Sequence, residues 1–279
     1  MKSLRSPQKA SDIAVTILAL LLGAVLLFPI LYSFLSAFKD RAEFASYPPT
    51  LLPESFLNLG NFVRVLRDTP ILRFMGNSLI VAILGSTLRI LFAALAAFAF
   101  SYYRFHGSKA LFVLVLATMM LPGDTLIIAN YLSVSKLGLI DNYLGMCITS
   151  LVGASQMFLL RQHFKTIPKE MYEAAQIDGC GDMLYIARII LPMSRPVLMT
   201  LIVQSFIGFW NSYLWPLLVT NRAELRTVQV GITMLTTPHD TNYGLVMAGV
   251  VLILAPTIAL FLLLRRNIVE GMSSGAVVG

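Results

Sequence analysis

The side chains that could catalyse a reaction or hold a metal are few and scattered. His106, His163 and His239 are far apart in sequence and form no metal-ligand spacing. Cys147 lies in an apolar run and Cys180 in a polar loop, so no disulfide is expected. The pattern G-x-x-x-x-G-K-[ST] is missing, which argues against ATP binding by a P-loop. Since no nucleophile–base set is found either, we predict a protein that is not an enzyme and holds no cofactor or metal of its own.

Two charged residues stand within apolar stretches, where a charge is costly and usually faces a cavity or a partner. Arg89 lies near the middle of one stretch, and Asp124 follows the helix-breaking pair Pro122-Gly123 in another. Broken helices are tolerated at membrane depth where they line a cavity, so Asp124 could belong to a pathway or gate. Alternatively, the stretch ends at Leu121 and Asp124 caps the next turn. Arg89 could contact a substrate or a carboxylate such as Asp124, or could form a structural pair with another subunit.

An aromatic cluster lies late in a third apolar stretch. It consists of Trp210, Tyr213 and Trp215, with the amide of Asn211 between them. Aromatic faces can stack on sugar rings, and an amide can hydrogen-bond to hydroxyl groups. The alternative is an aromatic belt at the outer membrane surface, where Trp and Tyr are enriched. Trp210 and Asn211 lie deepest, so they are the members that we expect to face a pathway.

The stretch Pro168–Pro196 is polar, charged and helix-forming, although it lies between two strongly apolar runs. Pro168 suits a first helical position, and Glu173 places negative charge near the positive end of the helix dipole. Gly179 and Gly181 are predicted to close this helix. Two helices that are too short to span a membrane, placed between membrane spans, predict a docking element.

The second helix of this element is predicted over Met183–Ile190. Asp182 can cap its beginning, and Pro192 is expected to stop it. On the first helix, Ala174 and Ala175 leave one flank without bulk. That flank is expected to fit closely into a groove on a partner protein.

The composition is typical of a membrane protein. Of the 279 residues, 57% are hydrophobic and 13% are charged, and the mean hydropathy is +0.78. Apolar runs of about 20 residues indicate membrane-spanning helices. Six are predicted, at about residues 13–38, 75–103, 111–131, 143–160, 197–219 and 244–264, with a polar loop at 161–195 and end segments at 1–12 and 265–279. The first run is too long for a signal-peptide core and lacks a cleavage site, so we expect a retained anchor.

Six spans place both termini on the same side of the membrane, and the basic residues indicate which side. With both termini in the cytoplasm, the inside carries more Lys and Arg than the outside, and most outside charges fall in the long loop at 39–74. Long loops weigh little in setting topology, so this orientation is predicted. The net charge of +7 therefore follows membrane sidedness and does not indicate binding to nucleic acid.

The polar loop at 161–195 carries a spaced motif. Glu173-Ala174-Ala175 is followed after three residues by Gly179, after nine more by Ile189, and after one more by Leu191-Pro192. In residue types and spacing this resembles the EAA loop of ABC-importer permeases. The resemblance implies a cytoplasmic coupling helix that docks into a cleft of a separate ATPase subunit, which would bind ATP and Mg in place of this chain. The residues implied in coupling are Glu173, Ala174, Ala175, Asp178, Gly179, Leu191 and Pro192. Many relatives carry Ser or Thr where Gly181 stands, so the capping of the second helix is expected to shift to Asp182.

Further motifs extend the resemblance to the carbohydrate-uptake permeases. They are Asn77-Ser78, Met120-Leu121-Pro122, Trp210-Asn211, Trp215-Pro216-Leu217-Leu218 and the closing segment 271–277. The length and the glycine-rich end resemble the MalG-type member of a permease pair. This implies an all-α, polytopic membrane protein with six transmembrane helices, the MetI-like permease fold, in the bacterial inner membrane. It would form half of a pathway for a sugar or oligosaccharide. Phe158–Gln162 also looks like the glycerol-3-phosphate permeases of the same group, so that substrate stays open.

The resemblance also implies the partners of the chain. They are a second, MalF-type permease, two ATPase subunits, an extracytoplasmic substrate-binding protein, a small-molecule substrate and the lipid membrane. The family position of the segment Asn221–Tyr243 implies contact with the binding protein through Pro238, His239, Asp240 and Asn242; the alternative is an idle polar loop. The end segment implies contact with the ATPase through Ser273, Ser274 and Gly275, although Val278 stands where relatives usually carry Lys.

A competing hypothesis from another class is a secondary transporter driven by H⁺ or Na⁺. Such folds often contain internal inverted repeats and several intramembrane carboxylates. The sequence shows no clear repeat, and Asp124 is its one candidate carboxylate. The ABC-importer permease is therefore the favoured interpretation.

Overall fold

The computed structural model describes residues 7–235 and 242–276, with side chains except for those of residues 7–12, 124 and 265–276. All regular secondary structure in these ranges is helical, which confirms the all-α class. The α-helices are α1 Pro7–Ser36, α2 Arg41–Ala45, α3 Gly60–Asp68, α4 Ile71–Tyr102, α5 Ser108–Ala117, α6 Ile127–Lys136, α7 Tyr143–Cys147, α8 Ala154–Phe164, α9 Lys169–Ile177, α10 Asp182–Tyr185, α11 Leu191–Met193, α12 Arg195–Trp210, α13 Leu214–Val219, α14 Val228–Ile232 and α15 Tyr243–Ala276.

The chain divides into two compact units. The first comprises the described parts of Met1–Ile71 and Ile232–Leu254, and the second those of Leu72–Gly231 and Ala255–Gly279. In the first unit, the apolar segment Ile13–Ser36 of α1 has a mean hydropathy of 2.8, and none of the residues in its most apolar stretch of 18 is buried within the protein. A helix that is apolar and exposed all round is suited to lipid or to another membrane subunit.

The connection after α1 is more ordered than a polar loop. Asp40 and Glu43 form a capping box at the start of α2, each side chain accepting from the other's backbone N–H. Asn61 at the start of α3 donates from Nδ2 to the carbonyls of Ala37 and Lys39, at 3.0 and 2.7 Å. These bonds satisfy the carbonyls at the end of the first span, where helices leave unpaired groups.

The core of the second unit forms around the C-terminal half of α4. Ala93, Ala94 and Ala97 are nearly inaccessible to solvent and pack in one cluster with Leu160 of α8 and Leu201 of α12. Small residues at these positions allow helices to approach closely, which is the main source of packing energy between membrane helices. Helix α4 therefore supports both the membrane-facing part and the polar loop of this unit.

Three of the described helices are long and apolar enough to cross a membrane: Ile13–Ser36, Ile71–Tyr102 and Tyr243–Leu264. Two bent helix pairs meet the same criteria, α7 with α8 at 58° and the helix ending at Met193 with α12 at 88°. The third predicted span is instead a short apolar helix, Ser108–Met120, followed by a break at Pro122, whose missing N–H cannot continue the helix. Up to five spans follow by length and composition, and the count of six stays a prediction.

Several helices begin or end at other residues than the spans predicted from the sequence. The second span begins at Ile71, four residues before the predicted start, and α8 continues to Phe164, beyond the predicted end of the fourth span. The fifth span stops at Trp210 and resumes as α13 after a turn. The segment after residue 264 is a continuation of α15 to Ala276.

Candidate functional site

A cavity of about 680 Å³ lies within the second unit. Its lining consists of Arg89, Thr118, Leu121, Gly123, Leu126, Ile127, Asn130, Thr149, Ser150, Val152, Ser212, Tyr213, Leu214 and Trp215. Apart from Arg89 on α4, these residues come mainly from helix ends, 3₁₀ turns and the turn between α12 and α13. Irregular backbone is tolerated at membrane depth where it lines a cavity, so the broken helices explain where this cavity forms.

Arg89 is held in place on three sides. Its Nε donates to the carbonyl of Ser150 at 2.7 Å, and its guanidinium carbon lies 4.4 Å from the centre of the Phe209 ring. Its aliphatic stem packs against Gly153, where a Cβ would come within 3.0 Å of Cγ of Arg89. The cation–π contact and the hydrogen bond fix the guanidinium at the cavity wall.

The structure separates the aromatic residues differently from the prediction. Trp210 is 1% exposed and stacks on Phe206 with 6.0 Å between ring centres, so it belongs to the core and does not line the cavity. Asn211 is exposed outside the cavity lining, and its Oδ1 accepts from Gln229 at 3.4 Å. Tyr213 lines the cavity in place of these two residues, because α12 ends at Trp210 and the chain turns there.

Trp215 also lines the cavity, and its indole Nε1 donates to the carbonyl of Gly145 at 3.1 Å. This bond joins α13 to α7 and fixes the ring. The sequence placed Trp215 in the same cluster but gave no reason to rank it above Trp210. Thr118, Asn130 and Ser212 were missed, although the nearby Pro122-Gly123 break was the signal that could have located two of them.

Asp124 lies in a 3₁₀ turn, Gly123–Leu126, whose two end residues line the cavity. The helix before it ends at Met120, and Leu121 is extended. This backbone agrees with the alternative in which the helical segment stops at Leu121. The side chain of Asp124 is not among those described, so its role stays a prediction.

The polar loop folds as a helix pair joined by a tight turn. Gly179 has φ of +76°, in the left-handed region, and its N–H bonds to the carbonyl of Gln176 after the end of α9. This confirms the prediction that residue 179 adopts a backbone conformation in which a residue with a Cβ would be strained. Gly181 does not share this requirement, since its backbone is extended and it serves as N-cap of α10.

The predicted cap by Asp182 is wrong. Asp182 is the first residue of α10, and the cap has no side-chain hydrogen bond. The carboxylate instead accepts hydrogen bonds from two tyrosines: Tyr172 of α9 donates to Oδ1 at 2.7 Å, and Tyr103 after α4 donates to Oδ2. Two phenol groups within reach compete successfully with the local backbone N–H groups. One side chain therefore ties both helices of the loop to the end of α4.

Aromatic rings reinforce this connection. Tyr172 lies 4.9 Å from Tyr102 of α4 and 5.0 Å from Tyr185, and Phe98 stacks on Tyr102 at 4.9 Å between ring centres. We call Phe98, Tyr102, Tyr103, Tyr172, Asp182 and Tyr185 the tyrosine–aspartate cluster. Hydrogen bonds from Tyr103 and Tyr172 lower the pKa of Asp182, while burial and its bond to Asp182 raise the pKa of Tyr172 to about 12.

The alanines of the motif do not form one outward flank. Ala175 is 7% exposed and belongs to the core cluster, whereas Ala174, Glu173 and Asp178 are exposed. Residues adjacent in a helix differ by about 100° around its axis, so the two alanines face different sides. Glu173 and Ala174 are therefore the exposed residues of the Glu173-Ala174-Ala175 motif.

Pro192 does not stop the second helix. The chain passes through a π-helical turn, Ile186–Ile190, and continues as α11 through Pro192 to Met193. Proline is tolerated in the first turn of a new helical segment, where its missing N–H needs no partner. Leu191 is half-buried and Pro192 is exposed. The π turn and the bend at Ser194 turn the chain into α12.

The sites predicted for binding-protein and ATPase-tail contacts are only partly described. Pro238, His239 and Asp240 lie outside the described residues, and Asn242 accepts from the N–H of Leu245 through Oδ1 at the start of α15. The earlier part of that segment is not simply a polar loop, since Val228 and Val230 are buried in α14. Residues 273–275 continue the backbone of α15.

Comparison with known proteins gives consistent matches. Residues 89–274 match the family described as "Binding-protein-dependent transport system inner membrane component". The chain is 34% identical over 265 residues to the sn-glycerol-3-phosphate transport system permease protein UgpE of Agrobacterium fabrum, covering 91% of this chain and 94% of that protein. It is 30% identical over 257 residues to the arabinooligosaccharides transport system permease protein AraQ of Halalkalibacterium halodurans, covering 91% and 92%.

A solved structure agrees in fold. It is that of a bacterial ABC transporter involved in the import of the acidic polysaccharide alginate, with a TM-score of 0.85 and 22% identity, covering 96% of this chain and all of that one. At this identity the likeness concerns the fold alone. The family match extends over most of the chain, and the relatives align with nearly its full length. The chain therefore belongs to the family of binding-protein-dependent transport system inner membrane components.

Proposed function

We propose that this chain is the permease subunit of an ATP-driven importer and forms half of the pathway for a carbohydrate. The observation that carries this proposal is the cavity, where Thr118, Asn130 and Ser212 offer hydrogen-bonding groups beside the rings of Tyr213 and Trp215. Ligand sites combine a few placed polar groups with aromatic walls, and sugars use both. The relative named for arabinooligosaccharides supports a sugar or oligosaccharide.

Glycerol 3-phosphate or a related polyol phosphate is the second candidate. The relatives named for sn-glycerol-3-phosphate are 34% identical to this chain. Arg89 at the cavity wall is a group that a phosphate can pair with. An ion-coupled secondary transporter is not retained, since the relatives are permeases of binding-protein-dependent systems.

Coupling to a separate ATPase is proposed through the exposed face of α9. Glu173 offers a carboxylate to a basic group of the ATPase, and ATP and Mg are bound by that subunit. A movement of α9 is passed to α4 through Asp182, which binds Tyr172 and Tyr103 at once. Helix α4 also carries Arg89, so a displacement of the loop reaches the cavity along one helix. Substrate and nucleotide would then shift one conformational equilibrium from opposite ends.

The assembly and orientation complete the proposal. We place both termini and the loop at 161–195 in the cytoplasm, because basic residues flank these segments. The partners are a second, MalF-type permease, two ATPase subunits and an external binding protein. That protein would contact the segment that contains Pro238, His239, Asp240 and Asn242, and Ser273, Ser274 and Gly275 at the end of α15 would approach the ATPase pair.

The proposal is tested by reconstituting the chain with its co-expressed neighbours in lipid vesicles. Uptake of a labelled oligosaccharide or of sn-glycerol 3-phosphate should require ATP on the side of the ATPase and the binding protein on the other. Uptake by the chain alone under an ion gradient, without an ATPase, would contradict the proposal.

A further inference from the structure

We infer that the cavity takes a solute that carries an oxyanion, a carboxylate or a phosphate, and that Arg89 binds this group. The inference rests on the proposed function, because it names the class of solute that the pathway accepts. It assigns to Arg89 the discrimination between acidic and neutral polyhydroxy solutes. The neutral lining groups would bind the remaining hydroxyls.

The charge of the cavity is the first observation. Among the lining residues whose side chains are described, Arg89 is the one that carries a formal charge. The other polar groups there are hydroxyls, such as Thr118, and the amide of Asn130. A cation at membrane depth is costly unless it is paired. An anionic solute would supply a counter-charge to Arg89, which none of the described lining side chains does, whereas a neutral sugar would not.

The donors of Arg89 are the second observation. A guanidinium has five N–H donors. Nε is used by the carbonyl of Ser150, and within the part of the chain that the structure describes the two Nη groups have no hydrogen-bond partner. The paired N–H groups of a guanidinium match the geometry of a carboxylate or a phosphate in a bidentate contact. The bonds that Arg89 already makes leave its two Nη groups available for such a contact.

The rigidity of Arg89 is the third observation. Phe209 stacks against the guanidinium, Ser150 holds Nε, and Gly153 lies against the stem. Phe209 itself is confined, since its ring atoms lie 2.6–2.7 Å from the place that a Cβ on Gly85 would occupy. A positioned donor loses little conformational entropy when it binds an anion. The arrangement is therefore that of a prepared anion site and not of a mobile surface arginine.

The test uses the complete transporter in lipid vesicles, with two pairs of probes. Galacturonate is compared with galactose, and sn-glycerol 3-phosphate with glycerol. For each probe we measure how strongly it competes with the uptake of a labelled solute and how strongly it stimulates ATP hydrolysis. Comparing the two acidic probes distinguishes a carboxylate from a phosphate as the bound group. In at least one of the two pairs, the acidic probe should act more strongly than its neutral counterpart. In Arg89→Gln we expect this preference to fall by about tenfold or more, as loss of a charge-assisted hydrogen bond predicts.

Two further variants separate binding from folding. Asn130→Asp keeps the size of a lining side chain and adds a negative charge, so the acidic preference should fall as it does in Arg89→Gln. Arg89→Lys keeps the charge but loses the paired N–H donors of the guanidinium, so it should retain the preference for the acidic solute with weaker binding. Lys109→Gln removes an exposed cation away from the cavity and should leave the preference unchanged.

The outcomes are distinguishable from a failure of the proposed function. If no solute stimulates ATP hydrolysis in any complex, the proposed function itself fails. If neutral solutes are taken up equally well and Arg89→Gln and Asn130→Asp leave the preference unchanged, only the anion site is overturned. A third outcome is that Arg89→Gln and Asp124→Asn both prevent assembly while Asn130→Asp leaves the preference unchanged. Arg89 would then be part of a structural ion pair, which would also overturn the inference.

Discussion

The hydroxyl of Tyr172 donates a hydrogen bond of 2.7 Å to Oδ1 of Asp182. This bond closes the turn between the two helices of the polar loop, and Tyr103 extends it to the end of α4. The loop is therefore attached to the span that carries Arg89 by specific polar contacts, in addition to apolar packing.

Removing the carboxylate should loosen this attachment. Asp182→Asn keeps the size of the side chain but removes the charge that strengthens both hydrogen bonds. We expect a loss of about 1 kcal/mol in the attachment, since the group is partly exposed to water. Solute-stimulated ATP hydrolysis by the complex should fall severalfold with little change in the unstimulated rate. Asp68→Asn, at an exposed position in α3, is the matched control, and equal stimulation in both variants would contradict the role of Asp182.

The titration of Tyr172 should depend on Asp182. Because folding lowers the pKa of Asp182, its ionised carboxylate stabilises the folded protein above the ordinary pKa of 3.8. This stabilisation is lost as the pH falls through the lowered value. The raised pKa of Tyr172 gives stability that is present below its ordinary pKa of 10.0 and is lost as the pH rises through about 12. In Asp182→Asn both Tyr172 and Tyr103 should ionise at lower pH than in the wild type, because Asp182 raises the pKa of each, measured by tyrosine absorbance while the complex stays assembled. Identical titration curves would contradict the contact.

Gly179 and Gly181 offer a paired test of backbone strain. An ideal Cβ at either glycine meets nothing within 4 Å, but only Gly179 has a positive φ. Gly179→Ala should cost about 1–2 kcal/mol through conformation alone and should weaken coupling. Gly181→Ala should have little effect. Thermal unfolding of the complex and stimulated ATP hydrolysis measure both variants, and equal effects would show that the left-handed turn is not what Gly179 contributes.

The contact between Gly85 and Phe209 should control the position of Arg89. A Cβ at Gly85 would lie 2.6 Å from the Phe209 ring, so Gly85→Ala must displace the ring that stacks on the guanidinium. We expect a loss of about 1–3 kcal/mol in stability, as for overpacking of a core, together with slower uptake. Gly76→Ala on the same helix meets nothing within 4 Å and serves as control. Unchanged thermal stability and uptake in Gly85→Ala would contradict the close packing.

Charge reversal at Glu173 tests the docking surface. Glu173 is exposed on α9 and makes no hydrogen bond or ion pair among the described residues, so its replacement should not disturb the fold. Glu173→Lys should leave the chain inserted in the membrane and abolish solute-stimulated ATP hydrolysis. Glu170→Lys, one turn earlier on the same helix, should have a smaller effect. Normal stimulation in Glu173→Lys would remove the coupling role, and equal losses in both variants would indicate a general charge effect.

Sequence patterns alone were sufficient to predict the class of the protein and the local structure of the loop. Apolar runs as long as a bilayer is thick indicate spans because a membrane demands that length. The spacing from Glu173 to Pro192 and the need for glycine at 179 could be read within a short stretch, because helix ends and turns depend on nearby residues. Arg89 was recognised as a candidate for a functional or a structural role because any charge in an apolar run requires a reason.

Contacts between side chains that are distant in sequence became known from the folded structure. Arg89 contacts a carbonyl 61 residues away, and Tyr103 reaches Asp182 across 79 residues. The choice of Trp215 over Trp210 for the cavity depended on where α12 ends and how the chain turns. The assignment of Asp182 as a cap was wrong because two tyrosines, one of them just after the distant helix α4, offered better partners. Such contacts arise from the packing of helices that are far apart in sequence, and local propensity carries no information about that packing.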